Sequence, residues 1–188
     1  MSPKQLRKPK QQSLLPQSKA DPLAFERRFA EKGYQYIAGV DEAGRGCLAG
    51  PVVAASVILP QGLIIEGLKD SKQLSAKKRD EMYDRVCESA IAWSWSAIDA
   101  PEIDRINILR ATLVAMRESV EKLKTQPDFL LIDGRDTIQS AIPQKAISKG
   151  DVFSHSVAAA SVIAKVTRDR MMCEHAKTHP SFSFHIHK

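Results

Sequence analysis

Tyr36-Ile37-Ala38-Gly39-Val40-Asp41-Glu42-Ala43-Gly44-Arg45-Gly46 places two acids directly after a short apolar strand and directly before a glycine turn. Carboxylates at the end of a buried strand are costly unless paired, solvated or bound to a cation. The next segment, Val52 to Leu59, is a continuous apolar, β-branched run, which reads as a buried strand. Ile91 to Ile98, in which Trp93 and Trp95 alternate with small residues, reads as a third strand. Strands joined in this way predict an antiparallel meander.

Phe129 to Ile132 is a further short buried strand, and it too runs into an acid and a glycine, Asp133-Gly134. Ala146-Ile147 is a candidate for one more. Asp21-Pro22 starts a short helix that Gly33 ends, and Ser75 can cap a helix with Met82 and Val86 on one face. Asp99-Ala100-Pro101-Glu102 resembles a capping box with an early proline. After it, Leu109, Leu113, Met116, Val120 and Leu123 recur at helical spacing and read as a core stripe. Ser156 to about Met172 is Ala-rich and periodic, with Val162 and Val166 inward and Lys165, Asp169 and Met172 on another face. The fold class is therefore α/β, a mixed sheet containing the meander and flanked by helices.

With 188 residues, 43% hydrophobic and 27% charged, the chain suits one globular domain with a sizeable core. No apolar run approaches the roughly 20 residues that span a bilayer, and the basic N-terminus lacks the apolar stretch of a secretory signal. A cytoplasmic protein without membrane contact is expected. Cys47, Cys87 and Cys173 lie far apart with no C-x-x-C pair, so reduced and mostly buried thiols are expected. The net charge of +6 is concentrated at one end. Residues 1–20 hold Lys4, Arg7, Lys8, Lys10 and Lys19 and no acid, leaving 23 basic against 22 acidic residues elsewhere. We read 1–20 as a disordered basic tail and 21–188 as the folded domain. Any nucleic-acid surface on that domain must be a local patch.

Asp41, Glu42 and Asp133 thus stand at strand ends beside glycine turns, where open α/β sheets place ligands. Adjacent strand residues point to opposite faces, so Asp41 and Glu42 share one site only if the strand ends or twists there. Hard divalent cations such as Mg²⁺ and Mn²⁺ favour oxygen ligands, and converging carboxylates repel one another without them. Two such ions about 4 Å apart can activate water and stabilise the leaving oxygen in phosphodiester cleavage. No P-loop and no supported Ser-His-Asp or Cys-His arrangement competes.

Gly39-Val40-Asp41-Glu42-Ala43-Gly44-Arg45-Gly46 closely resembles the opening motif of type 2 ribonucleases H, the ribonuclease HII family. Asp70-Ser71-Lys72-Gln73-Leu74-Ser75, Ile106 to Thr112 and Leu131-Ile132-Asp133-Gly134 resemble its later motifs. So do Lys149-Gly150-Asp151 and the run from Ser156 through Lys165-Val166-Thr167-Arg168-Asp169. The resemblance implies a ribonuclease H-like fold with Asp41, Glu42, Asp133 and Asp151 as the catalytic, metal-binding acids. It implies that Gly44, Arg45 and Gly46 meet the 2′-hydroxyl, the group that tells RNA from DNA, and that Ser71 and Lys72 lie near backbone phosphates. The implied reaction is Mn²⁺- or Mg²⁺-dependent hydrolysis, with two ions, on the 5′ side of a ribonucleotide, leaving 3′-hydroxyl and 5′-phosphate. The implied partners are RNA–DNA hybrids and DNA duplexes containing ribonucleotides, and a monomer is expected.

The sequence departs from the family pattern at two places. Cys47 stands where proline is common, with little consequence expected for the chemistry. Family members usually continue through a His-Lys-Gly-Tyr segment, whereas Phe182 to Lys188 only approaches it. The expectation is a retained metal site with impaired discrimination and turnover, and the competing reading is a hybrid-binding remnant without catalysis. A different nuclease or integrase on the same fold is disfavoured by Gly44-Arg45-Gly46. His175 and His179 have the spacing of a helical metal pair, but no further ligand has the usual context, and a solvated irregular tail is expected there.

Overall fold

The computed structural model describes residues 21–68 and 75–186. The tail assigned to 1–20, together with Ser71, Lys72 and His187, lies outside the described residues. Five strands, β1 (Ile37–Ala43), β2 (Val52–Ile58), β3 (Ala92–Ile98), β4 (Phe129–Asp133) and β5 (Gln144–Ile147), form one sheet in the order β3-β2-β1-β4-β5. β1, β2 and β3 are antiparallel, as the expected meander requires. β4 runs parallel to β1, and β5 parallel to β4. The sheet is therefore mixed, with β1 at its centre.

The helices are α1 (Ala24–Ala30), α2 (Ala76–Ser89), α3 (Ala100–Ile106), α4 (Ile108–Glu121), α5 (Gly150–Phe153) and α6 (His155–Thr178). Caps expected from the sequence are in place. The Ser75 hydroxyl accepts from the Lys78 N–H, and Asp99 accepts from the Glu102 N–H at 3.2 Å. Asn107, at φ 70°, breaks the chain between α3 and α4 and caps α4 by accepting from the Arg110 N–H at 3.1 Å.

α6 and α2 cover one face of the sheet and α4 the other. Every residue of β2 is buried, so its uniformly apolar sequence reflects a cover on both sides. Ala55 and Val57 pack with Val162, Ile163 and Val166 of α6, whereas Ala54 and Ile58 pack with Ala115, Met116 and Val120 of α4. The stripe expected on α4 holds at Met116 and Val120, with Leu113 and Leu123 packed against them, and fails at Leu109, which is exposed. Ala111, Thr112, Ala115 and Ser119 are buried beside Met116 and Val120. Small side chains let α4 lie close to the sheet, where Ser119 Oγ and Ser56 Oγ hydrogen-bond at 2.6 Å. Leu113 and Leu123 pack at the edge of this core.

Two further expectations are corrected. Cys47 is exposed and Cys87 and Cys173 are half-buried, all three as free thiols. Burial still pushes the Cys87 thiol up to about 11. The C-terminal end is folded rather than irregular. Two 3-10 turns, Pro180–Phe182 and Phe184–Ile186, bring the Phe184 ring edge-on to both His175 and His179.

α6 crosses β1 at Gly39. A Cβ at that position would overlap main-chain atoms of Ser156 and Val157, so helix and strand backbones touch there. Backbone cannot give way as a flexible side chain does. Gly39→Ala is expected to destabilise the protein by about 3 kcal/mol or more, the upper part of the range for overpacking, measured by urea denaturation. An unchanged midpoint would contradict this contact.

Candidate active site

β1 does not end at Asp41 as expected. It continues to Ala43, with Asp41 opposite Ala55 and Glu42 opposite Ala54 of β2. Antiparallel pairing with the long β2 carries the strand two residues past its apolar part. Up to Asp41 the side chains alternate, with Gly39 and Asp41 toward α6 and Ala38 and Val40 toward α4. At the end of the strand Glu42 lines a cleft with Ser161, Val162 and Lys165 of α6, on the side of Asp41. The last β1–β4 pair in register is Val40 with Ile132, so Asp41 and Asp133 follow it side by side on neighbouring parallel strands.

Asp41 is only 4% exposed. Its Oδ1 accepts from the Glu42 N–H at 2.7 Å. Burial, and then the negative charges of Asp133 and Glu42, push its carboxyl well above the usual carboxylate range. A hydrogen bond from Ser161 of α6 opposes that rise only partly. Glu42 is raised too, first by burial and also by Asp133, against the lowering effect of Arg45. Arg45 Nη1 stands 3.6 Å from Glu42 Oε1.

Asp133 closes β4, and its Oδ1 accepts from the Gly150 N–H at 2.6 Å. That bond draws the start of α5, whose first turn contains Asp151, onto the end of β4. Lys149 makes the approach in a left-handed conformation, φ 60°. Asp41, Glu42 and Asp133 thus come to one edge of β1 and β4, and Asp151 follows the residue, Gly150, that Asp133 holds. Among the described residues, though, no three His, Cys, Asp or Glu side chains are disposed to hold a metal ion. Carboxylate oxygens here are turned toward protein donors instead, at Gly150, Glu42 and Arg45.

Beside the acids is a cleft of about 270 Å³ lined by Glu42, Ala43, Gly44, Arg79, Ser161, Val162 and Lys165. Lys165 Nζ is 2.7 Å from Asp169 Oδ1, and Arg79 Nη1 is 3.9 Å from Asp169 Oδ2. A larger apolar groove of about 830 Å³ runs past Gly50, Pro51, Ala100, Met172 and Phe184 and contains none of the four acids. Ser161, Lys165 and Arg79 were not among the residues the sequence assigned to the site. Their signal was indirect: Gly39 inside a strand marks a close backbone approach, and Ser161 and Lys165 lie one turn apart on the helix that makes it. Ser71 and Lys72 lie outside the described residues.

The donor set suits a hard divalent cation, since every candidate ligand is a carboxylate and Asp41 carries charge that its neighbours oppose. The sign of the pH effect follows. Asp41 keeps its proton in the folded state to a higher pH than in the unfolded chain. Without cation, stability therefore falls as pH rises from the ordinary aspartate pKa toward the raised one. Asp41→Asn is expected to raise the urea midpoint of cation-free protein at neutral pH and to flatten that acid-side slope. Cation at 100 times its Kd should stabilise the unsubstituted protein by about 2.7 kcal/mol and the variant by much less. Equal stabilisation of both would place the cation elsewhere.

The family model described as Ribonuclease HII matches residues 38–188. Ribonuclease HII of Geobacter sp. (strain M21) is 53% identical over 173 residues, covering 92% of this chain and 75% of the relative. Ribonuclease HII of Pelobacter propionicus is 49% identical, covering 100% of this chain and 84% of the relative. The crystal structure of ribonuclease H2 from Pyrococcus horikoshii OT3 superposes with a TM-score of 0.69 at 28% identity, covering 78% of each chain. With the family model matched over most of its length and relatives about half identical, the chain belongs to the ribonuclease HII family.

Proposed function

We propose that this chain is an endonuclease that hydrolyses RNA in RNA–DNA hybrids and cuts on the 5′ side of ribonucleotides embedded in duplex DNA. The observation that carries the reading is a buried acid, Asp41, pressed by two further acids at the edge of β1 and β4 and adjoining an exposed glycine loop. Asp41, Glu42, Asp133 and Asp151 would hold two divalent ions, Mn²⁺ or Mg²⁺. Bound there, the ions supply Lewis-acid polarisation of the phosphate and a water of lowered pKa.

The chain's own residues do the rest. Asp133, fixed by the Gly150 N–H, keeps α5 and Asp151 against the strand edge. Arg45 offsets part of the Glu42 charge and stands beside the loop that would meet the 2′-hydroxyl through Gly44, Arg45 and Gly46. Glycine at φ 101°, as at Gly44, lets main-chain N–H and C=O groups come close to a ribose. Ser71 and Lys72 would carry flanking phosphates. Products would bear 3′-hydroxyl and 5′-phosphate ends. We place this activity in a cytoplasmic monomer with a basic tail over 1–20. Among the described residues no helix is long and apolar enough to cross a membrane. A hybrid-binding remnant without catalysis is not favoured, because all four acids and the glycine loop are present in a chain 53% identical to a ribonuclease HII.

The test is cleavage of a DNA duplex containing one ribonucleotide, with Mg²⁺ or Mn²⁺. A single cut 5′ to the ribonucleotide is expected, abolished by chelator. Asp133→Asn should lower kcat on the order of a hundredfold or more, several kcal/mol of lost transition-state stabilisation, with duplex affinity retained. Cutting of all-DNA duplex, or tight binding with no cation-dependent cut, would refute the proposal.

A further inference from the structure

Arg168 on α6 is 1% exposed, one of the largest fully buried side chains in the protein. A buried guanidinium must have its donors satisfied, and here the acceptors are main-chain carbonyls. Nε donates to Pro51 O at 3.0 Å and an Nη nitrogen donates to Ala49 O at 2.9 Å. Both carbonyls belong to the connection between β1 and β2, the segment that contains Gly44-Arg45-Gly46. Gly44 opens that segment at φ 101° and Gly50 closes it at φ 83°. A Cβ at Gly44 would overlap Arg168 Nε, and one at Gly50 would overlap Met172 Sδ. Arg168 and Met172 are one helical turn apart. One face of α6 therefore seats both hinges of the loop, while Arg45, Gly46, Cys47 and Leu48 between them are exposed.

We propose that Arg168 is a positioning residue for ribose specificity. By bridging two carbonyls of the loop it sets where the Gly44-Arg45-Gly46 backbone stands relative to the acids. A loop this rich in glycine has little of its own to select one conformation. The flat fork of a guanidinium can hold two carbonyls at once, which an ammonium on a flexible stem does not reproduce. The inference rests on the ribonuclease reading above, in which that loop meets the 2′-hydroxyl.

Arg168→Met and Arg168→Lys test it in the full chain. Affinity would be measured in an Asp133→Asn background for two otherwise identical duplexes, all DNA or with one ribonucleotide. kcat and KM would be measured in the active background. Arg168→Met is expected to cost the ribonucleotide duplex roughly tenfold in affinity, the scale of one weakened hydrogen bond. KM should rise in step while all-DNA affinity is unchanged. Arg168→Lys should fall between it and the parent. An equal fall for both duplexes would assign Arg168 a purely structural role and overturn the proposal. Should Arg168→Met not fold, Arg168→Lys decides alone, and full ribonucleotide preference in it overturns the proposal. A parent chain with no ribonucleotide preference at all defeats the underlying ribonuclease reading instead, a result visible before any Arg168 variant is compared.

Discussion

The main-chain contact between α6 and β1 at Gly39 is the constraint on which the site depends. With no side chain between them, the helix lies directly on the central strand. Asp41, two residues further along the same face, is consequently buried under Ser161. Successive turns of the helix then reach successive parts of the site. Ser161 meets the acid, Lys165 borders the cleft, and Arg168 and Met172 seat the glycine loop. One strand and one helix in register thus bring Asp41, the cleft and the glycine loop together.

That arrangement opposes stability locally. Asp41 is buried among like charges, and the hydrogen bonds from Ser161 and the Glu42 N–H relieve it only in part. Strain of this kind is tolerated where the surrounding packing is strong, and functional sites commonly give up stability for chemistry. Here the surroundings are a fully buried strand, β2, and two apolar layers.

Much of this was legible in the residues. The β-branched run at 52–59 and the small-large alternation at 91–98 are strong strand signals, and Ser75 and Asp99 cap helices as written. Asp41, Glu42 and Asp133 stood out because acids interrupt apolar strands there. The missed features have physical reasons. Nothing local shows that β1 continues through Glu42, since that depends on pairing with β2. Leucine spacing on α4 wrongly included Leu109 and passed over Ala111, Ala115 and Ser119, because close contact with the sheet favours alanine and serine over bulk. Asp151 looked like an ordinary helix-start acid, and the long-range bond from the Gly150 N–H beside it to Asp133 has no local signal. Arg168 was quoted within a motif, but burial of its guanidinium under a loop more than a hundred residues earlier has no periodic signature.

The parallel pairing of β1 with β4 has a consequence for how the molecule is made. β1, β2 and β3 are contiguous hairpins that can form early, but β4 and α6 must be brought back from far along the chain. Contacts of such long range form slowly, after the entropy of closing a large loop has been met. On a ribosome, the meander therefore emerges with one apolar face uncovered and Asp41 still in water, losing its hydration only when α6 docks. Burial of Asp41 thus waits for α6, and a chain made only as far as β4 has its acids in water and one face of its sheet uncovered.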